Sequence, residues 1–194
     1  METGIFAAFS KKVISTIIAV GSMFYSTIDG VTPSMSTPDI GFKNENLFIS
    51  TTINNCYTEE LDQILNSGNV IPLYFSVELY QEGKKKPDST FSFYHSLQYS
   101  PIGNDFSIYY SERDEVITSL NLDQAKILFP QIINYRATSA TSINDNINYY
   151  LKITAWLDKI HLEGMEEELN LLFYWNSIKP YSASTIFTKS DFQI

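Results

Sequence analysis

The amino-acid sequence predicts a mostly β protein, an antiparallel two-layer β-sandwich of the immunoglobulin-like type, with two short α-helices and an N-terminal apolar helix. Six segments alternate apolar and polar residues with a period of two, the spacing of a strand that is buried on one face. Aromatic residues make up 14% of the chain, which suits sheets with large cross-strand side chains. Most of these segments are joined by turns, and strands joined in that way pair antiparallel.

The clearest of the six segments covers residues 147–157, where Ile147, Leu151 and Ile153 share one face. The other predicted strands are residues 47–53, 73–80, 91–99, 105–110 and 131–137. Glycine, proline, asparagine and aspartate separate several of these strands, and the lysine run at residues 84–86 is predicted to be a hairpin tip.

Two short helices interrupt the strands. Thr58 has the side chain of an N-cap and is followed by two glutamates, so a helix is predicted from there to Gly68. Asn121 is predicted to cap a second helix that ends at Pro130. Residues 163–175 fit both helical and strand spacing, and the length of the apolar run favours a strand.

Length and charge limit what the chain can be. The 194 residues suffice for one core, so a single domain is expected over residues 47–194, preceded by a linker at residues 29–46. The net charge of -9 would repel phosphate backbones, so nucleic acid is not an expected partner. The lone Cys56 cannot form an internal disulfide and is interpreted as a small buried apolar side chain.

The first 28 residues resemble an export signal. Lys11 and Lys12 precede an apolar run at residues 13–24, and this run contains the small residues Gly21 and Ser22, where a signal peptidase would need them. A cleaved signal peptide is therefore predicted, with a membrane anchor or a buried amphipathic helix as alternatives. Export would place the body in the periplasm or cell envelope, in contact with the membrane only through this segment.

Three stretches, residues 67–80, 94–99 and 149–158, resemble the uncharacterised bacterial proteins grouped as domain of unknown function 4390. The resemblance covers most of residues 40–194. It implies an exported envelope protein, which agrees with the N-terminal pattern, and it brings no catalytic residue with it.

The residues that could carry chemistry are few. His95 and His161 lie in separate segments, so neither a zinc site nor any other metal site is expected. No nucleophile elbow and no phosphate loop is present, and no cofactor is expected. His95 falls on an apolar strand face and is interpreted as a core histidine that donates to a carbonyl. The remaining polar clusters are interpreted as solvated surface or turns: Glu112, Asp114, Glu115; Glu163, Glu166, Glu167, Glu168; and Asn144, Asp145, Asn146, Asn148.

Five aromatic residues fall on the polar side of their strands, where solvent is expected: Tyr74, Tyr80, Tyr94, Tyr150 and Trp156. Such side chains stack on sugars or anchor a protein partner. Alternatively, the helices or the C-terminal segment cover them, and the need of the helices to pack somewhere favours this interpretation.

Three functions therefore stay open. The first is a non-enzymatic exported envelope protein with a binding or structural role and an envelope protein or glycan as partner. The second is a carbohydrate-binding module, which requires the aromatic rings to be coplanar and open. The third is a hydrolase that uses His95 or a pair of carboxylates.

Overall fold

The computed structural model describes residues 29–162 and 167–193, which form two antiparallel sheets packed face to face and a short additional hairpin. The larger sheet has six strands in the order β12-β9-β4-β5-β6-β7, and the smaller is centred on β3. The strands are β1 (Ser34–Met35), β2 (Asp39–Lys43), β3 (Asn46–Asn54), β4 (Ile71–Gln81), β5 (Ser89–Ser100), β6 (Asp105–Tyr110), β7 (Glu115–Leu120), β8 (Gln131–Ser139), β9 (Tyr149–Leu157), β10 (Lys159–His161), β11 (Glu168–Asn170) and β12 (Tyr181–Ala183).

Strand β4 lies in the middle of the larger sheet, between β5 and β9. Leu73, Phe75 and Val77 of β4 point to the inner face and are buried, whereas the residues between them are half-buried on the outer face. Strand β9 shows the same alternation along its whole length. The period of two in the sequence therefore reports burial on one face, as predicted.

The smaller sheet consists of β3 with β8 on one edge and β1 and β2 on the other. β1 and β2 pair with opposite ends of β3, and the chain between them is held by a hydrogen bond from the Ser36 amide to the Thr52 carbonyl. Residues 29–46, interpreted above as a linker, thus contain two strands. Their composition of proline, glycine and hydroxyl residues concealed them, because a short edge strand buries few side chains.

The core fills the space between the two sheets. The ring centroid of Phe93 on β5 lies 4.5 Å from that of Tyr135 on β8, and Leu47 and Ile49 of β3 are buried in the same core. The two-layer antiparallel sandwich is confirmed. Within the described part of the chain, no helix is long and apolar enough to cross a membrane. The predicted N-terminal apolar helix and signal segment, residues 1–28, lie outside the described residues.

The two predicted helices are present as α1 (Glu59–Leu65) and α2 (Leu122–Leu128). Thr58 and Asn121 cap them as expected, and Asn121 forms a reciprocal capping box with Gln124. A hydrogen bond of 2.6 Å from Lys126 Nζ to Asp62 Oδ2 joins the two helices.

Residues 163–175 correct the strand prediction. Among the described residues 167–175, Glu168–Asn170 form a strand and Leu171–Trp175 form a 3-10 helix, whose first turn is capped by the Asn170 side chain accepting a hydrogen bond from the Leu172 amide. Leu171, Tyr174 and Trp175 are buried, at the three- and four-residue spacing of one helical face, whereas Phe173 is exposed. Asn176, with a φ of 49°, ends this helix in the left-handed region.

Strand β7 was not predicted. Its residues are mostly exposed because it lies at the edge of the larger sheet, so it lacks the alternation that reveals a strand with one buried face. Two further 3-10 helices are present: Ala140–Ser142 lies between β8 and β9, and Lys189–Gln193 follows β12.

Candidate functional site

The outer face of the six-stranded sheet carries all five predicted aromatic residues. Strand register places Tyr74 directly opposite Trp156 on one side and Tyr94 on the other. The same register places Tyr80 opposite Tyr150. Tyr94 is 38% exposed and the other four are half-buried. The structure thus gathers the five residues into two rows on one surface, which we call the aromatic face.

The first row runs across four strands. The ring centroids of Trp156 and Tyr74 are 5.7 Å apart, those of Tyr74 and Tyr94 are 5.9 Å apart, and those of Tyr94 and Tyr109 are also 5.9 Å apart. Tyr109 was not singled out in the sequence, although the alternation of β6 already placed it on the outer side. The row spans about 14 Å, since neighbouring strands are about 4.8 Å apart.

The second row lies further along the same strands. The rings of Tyr80 and Tyr150 are 5.3 Å apart with an interplanar angle of 8°. Next to them, Glu78 and Lys152 form a cross-strand ion pair of 3.7 Å, and Lys152 Nζ lies 5.3 Å from the ring centre of Tyr181. Desolvation and the neighbouring Glu78 carboxylate raise the pKa of Tyr80, so its hydroxyl remains a hydrogen-bond donor at neutral pH.

Neither helix covers the aromatic face. Leu61 and Leu65 of α1, together with Phe129 at the end of α2, line a space shared with Leu73 and Leu157. Because Leu73 and Leu157 point inward, both helices lie on the inner side of the larger sheet. The interpretation in which helices cover these rings is therefore wrong.

The C-terminal segment adds to the aromatic face at one edge. Lys179 Nζ lies 5.0 Å from the centre of the Trp156 ring, and Tyr181 of β12 is 68% exposed. Since β9 lies between β4 and β12, Lys179 approaches Trp156 from the side opposite to Tyr74. Neighbours therefore occupy both sides of the Trp156 ring system.

The rings of Trp156 and Tyr74 do not lie side by side in one plane. They are nearly parallel, at 15°, and two coplanar rings would clash at a separation of 5.7 Å. The two rings are therefore stacked, with a face of each turned toward the other. Tyr94 is tilted by 45° from Tyr74 and by 59° from Tyr109. The rows are open, but their rings do not form a coplanar platform.

His95 is buried inside the sandwich. It is 0% exposed, and its Nδ1 lies 2.9 Å from the carbonyl oxygen of Phe129, which confirms the prediction of a core histidine bonded to a carbonyl. Its Nε2 lies 3.4 Å from Glu112 Oε1. The Glu112 side chain is only 4% exposed, so the prediction of a solvated acidic run was wrong at this residue. The turn between β6 and β7 directs Glu112 inward and leaves Asp114 exposed.

Several influences act on the Glu112 carboxyl group. Burial opposes its ionisation, but the 3.4 Å contact with His95, a backbone hydrogen bond and the charge of Arg113 outweigh burial and lower the pKa of Glu112. Arg113 Nε lies 3.5 Å from Glu112 Oε1 and 3.4 Å from Glu115 Oε2. No substrate can reach His95 without opening the sandwich, so the pair has the features of a buried structural element.

The other candidate residues lie apart from one another. His161 is exposed, Asp145 pairs with Lys189 at 3.1 Å, and Glu168 pairs with Lys159 at 3.7 Å. Glu163 and Glu166 lie outside the described residues. Over residues 29–162 and 167–193, no three histidine, cysteine or acidic side chains come together in a way that suits a metal ion.

A small space beside Cys56 is lined mainly by apolar residues of the core. Its volume of about 10 Å³ is roughly the minimum for one water molecule, which makes it too small for a substrate. Cys56 is free and buried, as predicted, and burial raises the pKa of its thiol to about 12.

The comparisons with known proteins settle the family. The family model described as Domain of unknown function (DUF4390) matches residues 34–162. The chain belongs to this family. The match begins at β1 and ends just after β10, so the DUF4390 region includes the edge strands that the sequence concealed and the whole first row of the aromatic face. No curated protein and no solved structure matches this DUF4390 chain.

Proposed function

We propose that this DUF4390 protein is a non-enzymatic, exported protein of the cell envelope that docks a partner protein on its aromatic face. The observation that carries the proposal is the first aromatic row, in which four rings cross four strands and no described helix lies over them. Trp and Tyr dominate the binding energy of protein interfaces because they bury a large apolar area and still offer a polar atom.

The orientation of the rings favours a protein over a glycan. Sugar binding uses ring faces, and in the first row the faces of Trp156 are taken by Tyr74 and Lys179. The aromatic rings together with the Glu78–Lys152 ion pair between the two rows suit the mixed apolar and polar chemistry of a protein interface. A glycan ligand is the second outcome that the tests below distinguish.

A non-enzymatic role is supported by the position of the potential catalytic groups. The buried pair of His95 and Glu112 is closed off from solvent, and the space next to Cys56 is apolar. Export is supported by the basic and apolar pattern of residues 11–24. Cell fractionation tests this part: the full chain is expected in the envelope or periplasm, and a chain without residues 1–28 is expected in the cytosol. Full-length protein in the cytosol would contradict export.

Site-specific photocrosslinking in living cells tests the docking surface. A benzophenone side chain placed at Tyr94, which is 38% exposed, is expected to give one discrete protein adduct. The matched control is the same side chain at Ile133, which is 40% exposed on the smaller sheet and is expected to give none. The Tyr94 adduct should also disappear when Trp156→Ala is added.

Two results would count against docking of a protein. Equal adducts at Tyr94 and Ile133 would show that the aromatic face is not special. Binding of the purified chain to a polysaccharide on a glycan array, lost in Trp156→Ala with folding intact, would replace the protein partner with a glycan.

A further inference from the structure

The buried His95 joins three parts of the fold. The residue itself lies on β5, its Nδ1 contacts the Phe129 carbonyl at the end of α2, and its Nε2 faces Glu112 in the turn between β6 and β7. The ring also packs against Phe75 and Tyr110, with centroid distances of 4.7 Å and 4.6 Å. His95 is thus a polar side chain that links this part of the core to the turn.

The hydrogen-bonding partners fix where protons must be. A carbonyl oxygen only accepts hydrogen bonds, so the 2.9 Å contact with Phe129 requires a proton on Nδ1. The Glu112 carboxylate also only accepts when ionised, and Arg113 and a backbone hydrogen bond both favour its ionised form. If Nε2 carried no proton, its lone pair would point at a buried carboxylate oxygen 3.4 Å away, and the two hydrogen-bond acceptors would repel each other.

We propose that His95 carries a second proton, on Nε2, and that this proton closes the β6–β7 turn by neutralising the buried carboxylate of Glu112. Loss of the proton leaves a buried negative charge whose remaining cation, Arg113, is partly exposed. Glu112 then relaxes by turning outward toward Arg113, and the turn opens with it. Edge strand β7 follows this turn directly, so opening loosens its pairing with β6.

The charged and titratable groups around the pair are few, and each can be assigned to an element. The turn supplies Glu112 and Arg113, and β7 supplies Glu115, which is bonded to Arg113. β6 supplies Tyr110, under the Arg113 guanidinium at 4.2 Å, and β8 supplies Tyr135. Burial raises the pKa of both tyrosines, so they stay neutral at neutral pH, and α2 contributes the Phe129 carbonyl. Among these groups, His95 and Glu112 are the two whose side chains meet in the buried interior.

Nitrogen NMR of the histidine rings tests the proton directly. The chain has two histidines, and the exposed His161 serves as an internal reference in the same spectrum. At neutral pH both ring nitrogens of His95 are expected to show the shift and splitting of protonated nitrogens in the full-length protein. A neutral ring with an unprotonated Nε2 would overturn the proposal.

Amide hydrogen exchange tests the coupling of the proton to the turn. Protection factors of residues 111–120 are expected to fall by up to about tenfold for each pH unit while the closed turn still holds the proton and the open turn has lost it, and to level off at higher pH, whereas those of β4 stay constant. In Glu112→Gln the side-chain amide donates to a neutral Nε2, so this pH dependence is expected to vanish. Glu115→Gln, which removes an exposed carboxylate bound to the same arginine, should keep it.

Either of two exchange results would overturn the proposal. The first is that protection of β7 in the wild type does not change with pH. The second is that protection of β7 in Glu112→Gln depends on pH as strongly as in the wild type. If Glu112→Gln does not fold, the wild-type NMR spectrum still decides whether Nε2 carries the proton.

Discussion

Neighbouring residues of β4 offer a sharp test of which face is buried. Phe75 is 0% exposed and contacts Phe93 and His95, with ring centroids 5.2 Å and 4.7 Å away. Phe75→Ala leaves a cavity at the centre of the larger sheet and is expected to cost about 3 to 5 kcal/mol of the free energy of unfolding. Tyr74→Ala on the outer face removes two cross-strand contacts, worth together roughly 0.5 to 2 kcal/mol.

Urea denaturation followed by circular dichroism measures both losses. With a slope of about 2 kcal/mol per molar urea, Phe75→Ala should move the midpoint down by about 2 M and Tyr74→Ala by about 0.5 M. The slope itself should change little, because both variants keep the same fold. A loss for Tyr74→Ala equal to or larger than that for Phe75→Ala would refute the assignment of inner and outer faces.

Three further predictions concern single groups. The thiol of Cys56 has a pKa of about 12, so only about one molecule in 10⁴ should carry the thiolate at pH 8. Ellman's reagent should therefore label Cys56 only after unfolding. Rapid labelling of the native chain would contradict the burial of this residue. Trp175→Phe should lower the free energy of unfolding, measured by heat or urea, by about 1 to 3 kcal/mol, because the buried Cys56 carbonyl loses the indole N–H donor at 2.8 Å. An unchanged free energy of unfolding would show that this hydrogen bond contributes nothing. The folded-state pKa of Glu112 is lowered from 4.5, so the stability that its ionised form contributes is present above pH 4.5 and is lost as pH falls through the folded pKa. The stability difference between wild type and Glu112→Gln should therefore narrow on acidification, and a constant difference would contradict the shift.

Most of the fold could be predicted because its central strands are buried on one face. Strands β4 and β9 alternate along their whole length, and both helix caps use side chains whose hydrogen bonds are local. The parts that could not be predicted lack such a signal. β7 and the pair β1 and β2 lie at sheet edges, where solvent removes the alternation.

The 3-10 helix at Leu171–Trp175 shows a different limit. Its apolar residues satisfy both the strand and the helical period, and in the structure Trp175 is held by a tertiary contact, its hydrogen bond to the Cys56 carbonyl over a long sequence separation. A single-sequence pattern holds no information about that partner.

The aromatic face was only partly visible in the sequence. Alternation placed the five aromatic residues on the outer side, but whether they formed rows depended on the register between strands, which pairs Tyr74 with both Trp156 and Tyr94. The inward turn of Glu112 could not be foreseen either. A run of adjacent charges ordinarily indicates solvent, and the buried partner, His95, lies on another strand.

Hydroxyl-radical footprinting of the purified chain and of intact envelopes tests the central claim most directly. In the purified chain, Tyr94 and Trp156 are expected to be oxidised and the buried Tyr149 to be protected. In envelopes, Tyr94 and Trp156 should become protected from oxidation. Phe173, which lies in the 3-10 helix Leu171–Trp175 and is 50% exposed, should be oxidised in both samples. Equal oxidation of Tyr94 and Trp156 in both samples would contradict the claim that the aromatic face is the docking surface.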